Sequence, residues 1–135
     1  MFQFESFDEV TARNLNPQVL AFVGDGVYSL YIRHKMVSCQ DIKGKDLHNH
    51  VTNYVKASGQ SNFINKLLPL FTEIEMSVFK RARNHKTLST AKNASIVDYR
   101  RATGFEAVIG YLYLIGETER LNELLSLSIG EKDED

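Results

Sequence analysis

The chain has 135 residues, 43% of them hydrophobic and 24% charged, with two prolines, a single cysteine (Cys39) and a net charge of −1. That length and apolar fraction suit one domain with a real core and exclude a disordered chain, and a lone cysteine excludes a disulfide framework. The first nine residues carry three acids and no base, unlike a secretory or organellar presequence. The longest near-apolar run, Val108 to Gly116, is about half of the ~20 residues that cross a bilayer. The expectation is one soluble, cytoplasmic domain over residues 1–135, ending in a short acidic tail at about 130–135.

Taken in chain order, the elements read as helices throughout. Asn16-Pro17 is a start signal, with Asn as cap and Pro at the first helical position. Leu20, Val23, Val27, Leu30 and Tyr31 then recur at helical steps, giving a helix to about Met36. A second helix is expected from about Lys45 to Ala57, and a third from Gln60 to about Leu68. Pro69 interrupts the third, and Ile74, Val78 and Phe79 resume the spacing over Glu73 to Arg83. Asn84 to Ser95 is polar and basic and reads as a loop. Ser95-Ile-Val-Asp98 has the form of a capping box with Asp in place of Glu, opening a long helix to about Ile115 that Gly116 stops. A short amphipathic helix, Glu119 to Leu127, closes the chain. No run has strand period, so the fold class is all-α.

The near-zero net charge conceals a strong asymmetry. Lys80 to Arg101 holds seven bases and one acid, Asp98, or +6 in 22 residues, while the remainder holds nine bases and sixteen acids. A focused basic block on an otherwise acidic protein is what a polyanion-binding surface looks like; the bland alternative is a solvated basic loop.

Two carboxylates stand out against apolar surroundings. Asp25 lies within Val19-Leu-Ala-Phe-Val-Gly-Asp-Gly-Val-Tyr28, flanked by Gly24 and Gly26, each costing ~1 kcal/mol relative to Ala inside a helix. Something must approach the backbone closely there, either another helix or a ligand. Glu106 repeats the pattern, with Ala102, Thr103, Ile109 and Gly110 one turn away. Small residues around both acids predict close helix packing that places them together in one interior pocket. A buried carboxylate needs a cation, a donor or a proton. Helix-end hydrogen bonds or a partner such as Arg33 or Arg101 would meet that need. So would a hard divalent ion, Mg²⁺ or Mn²⁺, for which oxygen ligands are suited. His48 and His50 are two residues apart and face different sides of a helix, which disfavours zinc.

Phe22-Val-Gly-Asp-Gly-Val27 resembles the signature helix of the ribonuclease III catalytic domain. Ala102-Thr-Gly-Phe-Glu-Ala-Val-Ile-Gly-Tyr-Leu-Tyr-Leu114 is similar to that family's second motif, and Leu47 to Ser58 to its middle helix. The likeness spans about residues 16–127 with three motifs in the family's order. A catalytic domain alone, without the double-stranded RNA-binding domain that ordinarily follows, resembles Mini-ribonuclease III, the short bacterial branch.

The resemblance implies a homodimeric helical bundle of the ribonuclease III catalytic fold. The implied activity is a divalent-metal-dependent endonuclease on double-stranded RNA, here the precursor of 23S ribosomal RNA cut near its mature ends. A large-subunit ribosomal protein is the implied helper. Asp25 and Glu106 match the family's metal-binding, catalytic carboxylates, with Mg²⁺ the implied ion and Mn²⁺ a substitute. The signature glutamate four residues before the aspartate falls on Ala21, and the aspartate three residues before the second glutamate falls on Thr103. One metal per site, completed by waters and phosphate oxygens, is therefore the expected arrangement. Water would attack the phosphorus and the 3′-oxygen would leave, and two sites related by a two-fold would cut both strands. Lys80, Arg81, Arg83, Asn84, Lys86 and Lys92 are expected to grip phosphates and 2′-hydroxyls by A-form shape. Val19, Phe22, Val23 and Gly26 are expected to form the dimer face. The alternative is a catalytically inactive RNA-binding or ribosome-associated helical module, since two of four signature carboxylates are replaced.

Overall fold

The computed structural model describes residues 2–38, 63–85 and 96–129. The expected helix over 45–57, the capping residue Ser95 and most of the 84–95 loop lie outside the described residues.

Helix α1, Glu9–Arg13, is short and was not expected from periodicity, which five residues cannot display. It is set by its cap: the Asp8 carboxylate accepts from the Thr11 amide at 3.0 Å and from the Thr11 hydroxyl at 2.6 Å. Helix α2, Pro17–Ser38, begins where Asn16-Pro17 predicts, the Asn16 side chain accepting from the Gln18 amide at 2.7 Å. Residues 63–67 are helical and pass into a 3-10 turn at Leu68–Leu70 that contains Pro69. Helix α3, Glu73–Arg83, has the bounds its spacing predicts. Thr72 and Glu75 form a reciprocal capping box at its start, each side chain accepting from the other's amide, at 3.1 and 3.0 Å. Helix α4, Ile96–Leu114, and helix α5, Thr118–Ser128, complete the described chain. Between them Gly116 takes a left-handed φ of 76°, the conformation that ends a helix most cheaply at glycine. Among the described residues there is no strand, and the fold is all-α. No described helix is long and apolar enough to cross a membrane.

Helix α4 is the hub, and α1, α2, α3 and α5 all pack against it. Its apolar residues run around most of the circumference of its C-terminal half, which is buried accordingly. Phe105, Ala107, Val108 and Ile109 are fully buried. Phe105 packs edge-on against Tyr28 (centroids 5.2 Å apart, 87°) and Phe63 (5.1 Å, 75°). The closest helix pair is α2 with α4. A β-carbon on Gly24 would strike the Glu106 carbonyl and lie 2.9 Å from the Gly110 amide nitrogen. One on Gly110 would strike the Leu20 carbonyl. Backbone meets backbone here, and only glycine at both positions permits it.

Two polar ties fasten the periphery. Arg120 of α5 donates to both carboxylate oxygens of buried Glu75, at 2.8 and 2.9 Å, and to the Leu70 carbonyl at 2.6 Å. Burial alone would raise the Glu75 carboxyl, but the Arg120 hydrogen bonds and charge and the Thr72 amide outweigh it and hold it below its ordinary value. The Tyr111 hydroxyl donates to Glu9 at 3.1 Å, tying α1 to α4. Burial, and then that carboxylate, push its pKa up to about 12.

Candidate active site

Beside the Gly24–Gly110 contact, α2, α4 and the end of α3 line one open cleft of about 260 Å³. Helix α2 contributes Gln18, Ala21, Phe22 and Asp25, spaced so that all four share one helical face. Helix α4 contributes Tyr99, Arg100, Thr103 and Glu106, again one face. Ala82 and His85 close the side.

Asp25 and Glu106 line the same cleft, but it is not the interior pocket that the small residues around them predict. Asp25 is exposed and Glu106 half-buried. Apolar neighbours in sequence are not burial: α2 buries only Leu20, Ala21, Gly24, Tyr28 and Ile32, while Phe22 is 78% exposed. Asp25, open to water, keeps its solvation and does not need a buried partner. Of the two glycines beside Asp25, Gly24 is explained by the backbone of α4, whereas Gly26 has no atom of the described residues within reach of a β-carbon. Ala21 and Thr103, the positions where the resembled family carries two further carboxylates, line the same cleft. The Thr103 hydroxyl donates to the Tyr99 carbonyl at 3.0 Å.

An all-oxygen pair of carboxylates fits a hard divalent ion and not a soft one. Among the described residues no group of three or more His, Cys, Asp or Glu side chains converges as a metal cage. The donor set therefore fits an ion that keeps several waters, as Mg²⁺ does.

The basic block divides by what each side chain already holds. Lys80 and Asn84 are exposed. Arg83 lies over the Phe79 ring, 5.6 Å from its centroid, and donates to the Asn84 side chain at 3.2 Å. Arg81, expected to grip RNA, has its guanidinium on the last carbonyls of the α1 region instead, donating to Arg13 O at 2.6 Å and to Leu15 O. That geometry braces the α1–α2 connection. Arg101 donates to the Asn65 side chain at 2.8 Å. Lys86 and Lys92 lie outside the described residues. Arg100, which sequence reasoning counted in the block without singling out, is the arginine that lines the cleft. Its position three residues before Thr103 is the signal that could have placed it beside the cleft. Of the residues expected at a dimer face, Val19 is 46% and Phe22 78% exposed, Gly26 is exposed and Val23 half-buried.

The ribonuclease III domain family matches residues 18–117. Mini-ribonuclease 3 of Clostridium tetani is 48% identical over 133 residues, covering 95% of this chain and 85% of that protein. Mini-ribonuclease 3 of a Thermoanaerobacter species is 47% identical over 116 residues, covering 86% of this chain and 82% of its own. A crystal structure of a protein from Fusobacterium nucleatum superposes with a TM-score of 0.78 at 29% identity, over 87% of this chain and 93% of that one. With the motifs, the helical hub and the cleft in agreement, the chain belongs to the ribonuclease III family and is an endoribonuclease of its short, Mini-ribonuclease III branch.

Proposed function

We propose that this endoribonuclease cleaves double-stranded RNA at the α2–α4 cleft with Mg²⁺, Mn²⁺ serving as a substitute, and that its cellular substrate is precursor 23S ribosomal RNA near the mature ends. The observation that carries the reading is that Asp25 and Glu106, distant in sequence, line one solvent-open cleft beside a basic surface. Their carboxylates would hold the ion, and what such an ion supplies is a more acidic bound water and charge to stabilise the leaving oxygen. The chain's own contribution is positional. The Gly24–Glu106 backbone contact fixes the two carboxylate-bearing helices against each other, so the carboxylates are held before RNA arrives. Lys80, Arg83 and Asn84, with Lys86 and Lys92, would hold the duplex backbone, which carries most of the affinity and little base readout.

The apolar stripe of α2, exposed Val19 and Phe22 and half-buried Val23 with open Gly26, supports a homodimer in which the same helix faces its copy. Two cuts on opposite strands then come from two clefts. A large-subunit ribosomal protein bound to the precursor fits as a helper that presents the duplex.

The test is a cleavage assay on a perfectly paired RNA duplex, and on a precursor spanning both mature ends, with Mg²⁺ or with EDTA. Cleavage is expected only with Mg²⁺. Asp25→Asn and Glu106→Gln each remove it while duplex binding in EDTA stays near wild type, and Asp25→Asn, at an exposed position, leaves the melting temperature unchanged. Duplex binding without cleavage in Mg²⁺ and Mn²⁺ alike, or cleavage that survives Asp25→Asn, overturns the reading.

A further inference from the structure

We infer that Arg100 binds a non-bridging oxygen of the scissile phosphate and is the cleft's own phosphate-binding residue. The inference rests on the reading of the cleft as the cleavage site. Four arginines come from the basic block into the described structure near this face, and three are engaged. Arg81 is held by two backbone carbonyls, Arg83 by Asn84 and the Phe79 ring, and Arg101 by Asn65. Arg100 is exposed, lines the cleft, and among the described residues makes no hydrogen bond or ion pair.

Its placement follows from helix geometry. Arg100 precedes Glu106 by six residues on α4, roughly 9 Å along the helix axis and about a third of a turn around it, with Thr103 between them, and all three line the cleft. An extended arginine covers much of that distance, so a phosphate seated at the carboxylates lies within its reach. Without a bound ion Asp25 and Glu106 repel an incoming phosphate, and with the ion in place Arg100 adds the permanent positive charge of the cleft lining. Arginine suits the role because its planar fork binds phosphate bidentately and its charge does not depend on pH. Because Ala21 and Thr103 are uncharged where the family pattern has carboxylates, one arginine faces two acids and not four.

The test compares Arg100→Gln and Arg100→Lys with Lys66→Gln, which removes the same charge from an exposed position away from the cleft. Two readouts are taken: the single-turnover cleavage rate at saturating enzyme with Mg²⁺, and duplex affinity in EDTA by fluorescence anisotropy. Arg100→Gln is expected to slow cleavage by about 10²-fold, the usual effect of losing one donor to a reacting oxygen. Its EDTA affinity falls by less than roughly tenfold, since one phosphate contact among many is lost. Arg100→Lys recovers roughly tenfold of the rate, keeping the charge without the fork. An Arg100→Gln rate within about threefold of wild type, or a loss no larger than that of Lys66→Gln, overturns the inference. Should Arg100→Gln lower the melting temperature, Arg100→Lys carries the test, and a wild-type rate for it overturns the inference. Asp25→Asn, run alongside, separates the two failures. If it is inactive and Arg100→Gln is active, only the role of Arg100 falls; if Asp25→Asn still cleaves, the site reading falls and takes Arg100 with it.

Discussion

Gly24 lies directly against the main-chain carbonyl of Glu106, so the residue before one cleft carboxylate touches the backbone of the other. Packing and chemistry share this contact. The distance between the α2 and α4 backbones sets where both side chains emerge, and it is set by the absence of two β-carbons, at Gly24 and Gly110.

Gly24→Ala therefore destabilises the fold by about 3 kcal/mol, the upper range for overpacking, because the colliding atoms are backbone and cannot rotate away. Gly26→Ala behaves oppositely. No atom of the described residues lies within reach of its β-carbon, and the change removes a helix-interior glycine, so the protomer gains up to about 1 kcal/mol. Denaturant melts at fixed protein concentration distinguish the two.

Arg81→Gln costs stability and not RNA affinity. Loss of two charge-assisted bonds to the Arg13 and Leu15 carbonyls destabilises the protein by about 2 kcal/mol. The slope of log affinity against log salt stays unchanged, whereas Lys80→Gln reduces that slope by about one.

Stability depends on pH through Glu75. Its carboxyl sits below the ordinary 4.5 in the folded protein, so the unfolded chain takes up the proton first as pH falls. The contribution is complete above 4.5 and is lost as pH drops through the depressed folded value. Glu75→Gln leaves Arg120 facing an uncharged partner and lowers stability by about 2 kcal/mol at neutral pH. The gap between wild type and variant closes in acid, which melts across a pH series would record.

Ala21→Glu and Thr103→Asp add carboxylates to the cleft that already holds Asp25 and Glu106. Divalent-ion affinity follows ligand charge count, so the double variant is expected to bind Mn²⁺ roughly tenfold more tightly by calorimetry. An unchanged affinity would mean that these positions do not face the ion.

Local patterns are legible in a single sequence because they depend on residues three or four apart. Asn16-Pro17 fixed the start of α2, the spacing of Ile74, Val78 and Phe79 gave α3, and Gly116 marked the stop before α5. Thr72-x-x-Glu75, not singled out from sequence, forms the capping box of α3 in the structure. The family motifs likewise placed Asp25 and Glu106 together, since small residues beside an acid on two helices announce close packing.

What tertiary structure alone decided is how those helices lie and what each side chain meets. Asp25 is exposed despite apolar neighbours, because burial depends on which face of α2 meets α4. Arg81 and Arg100 are indistinguishable as charges in a basic block. One is turned onto the carbonyls of a distant turn and the other lines the cleft, because α3 and α4 present them to different surroundings. Periodicity is a property of one helix, while a site is a property of several, and its geometry is fixed by backbone contacts such as Gly24 on Glu106 that no local pattern encodes.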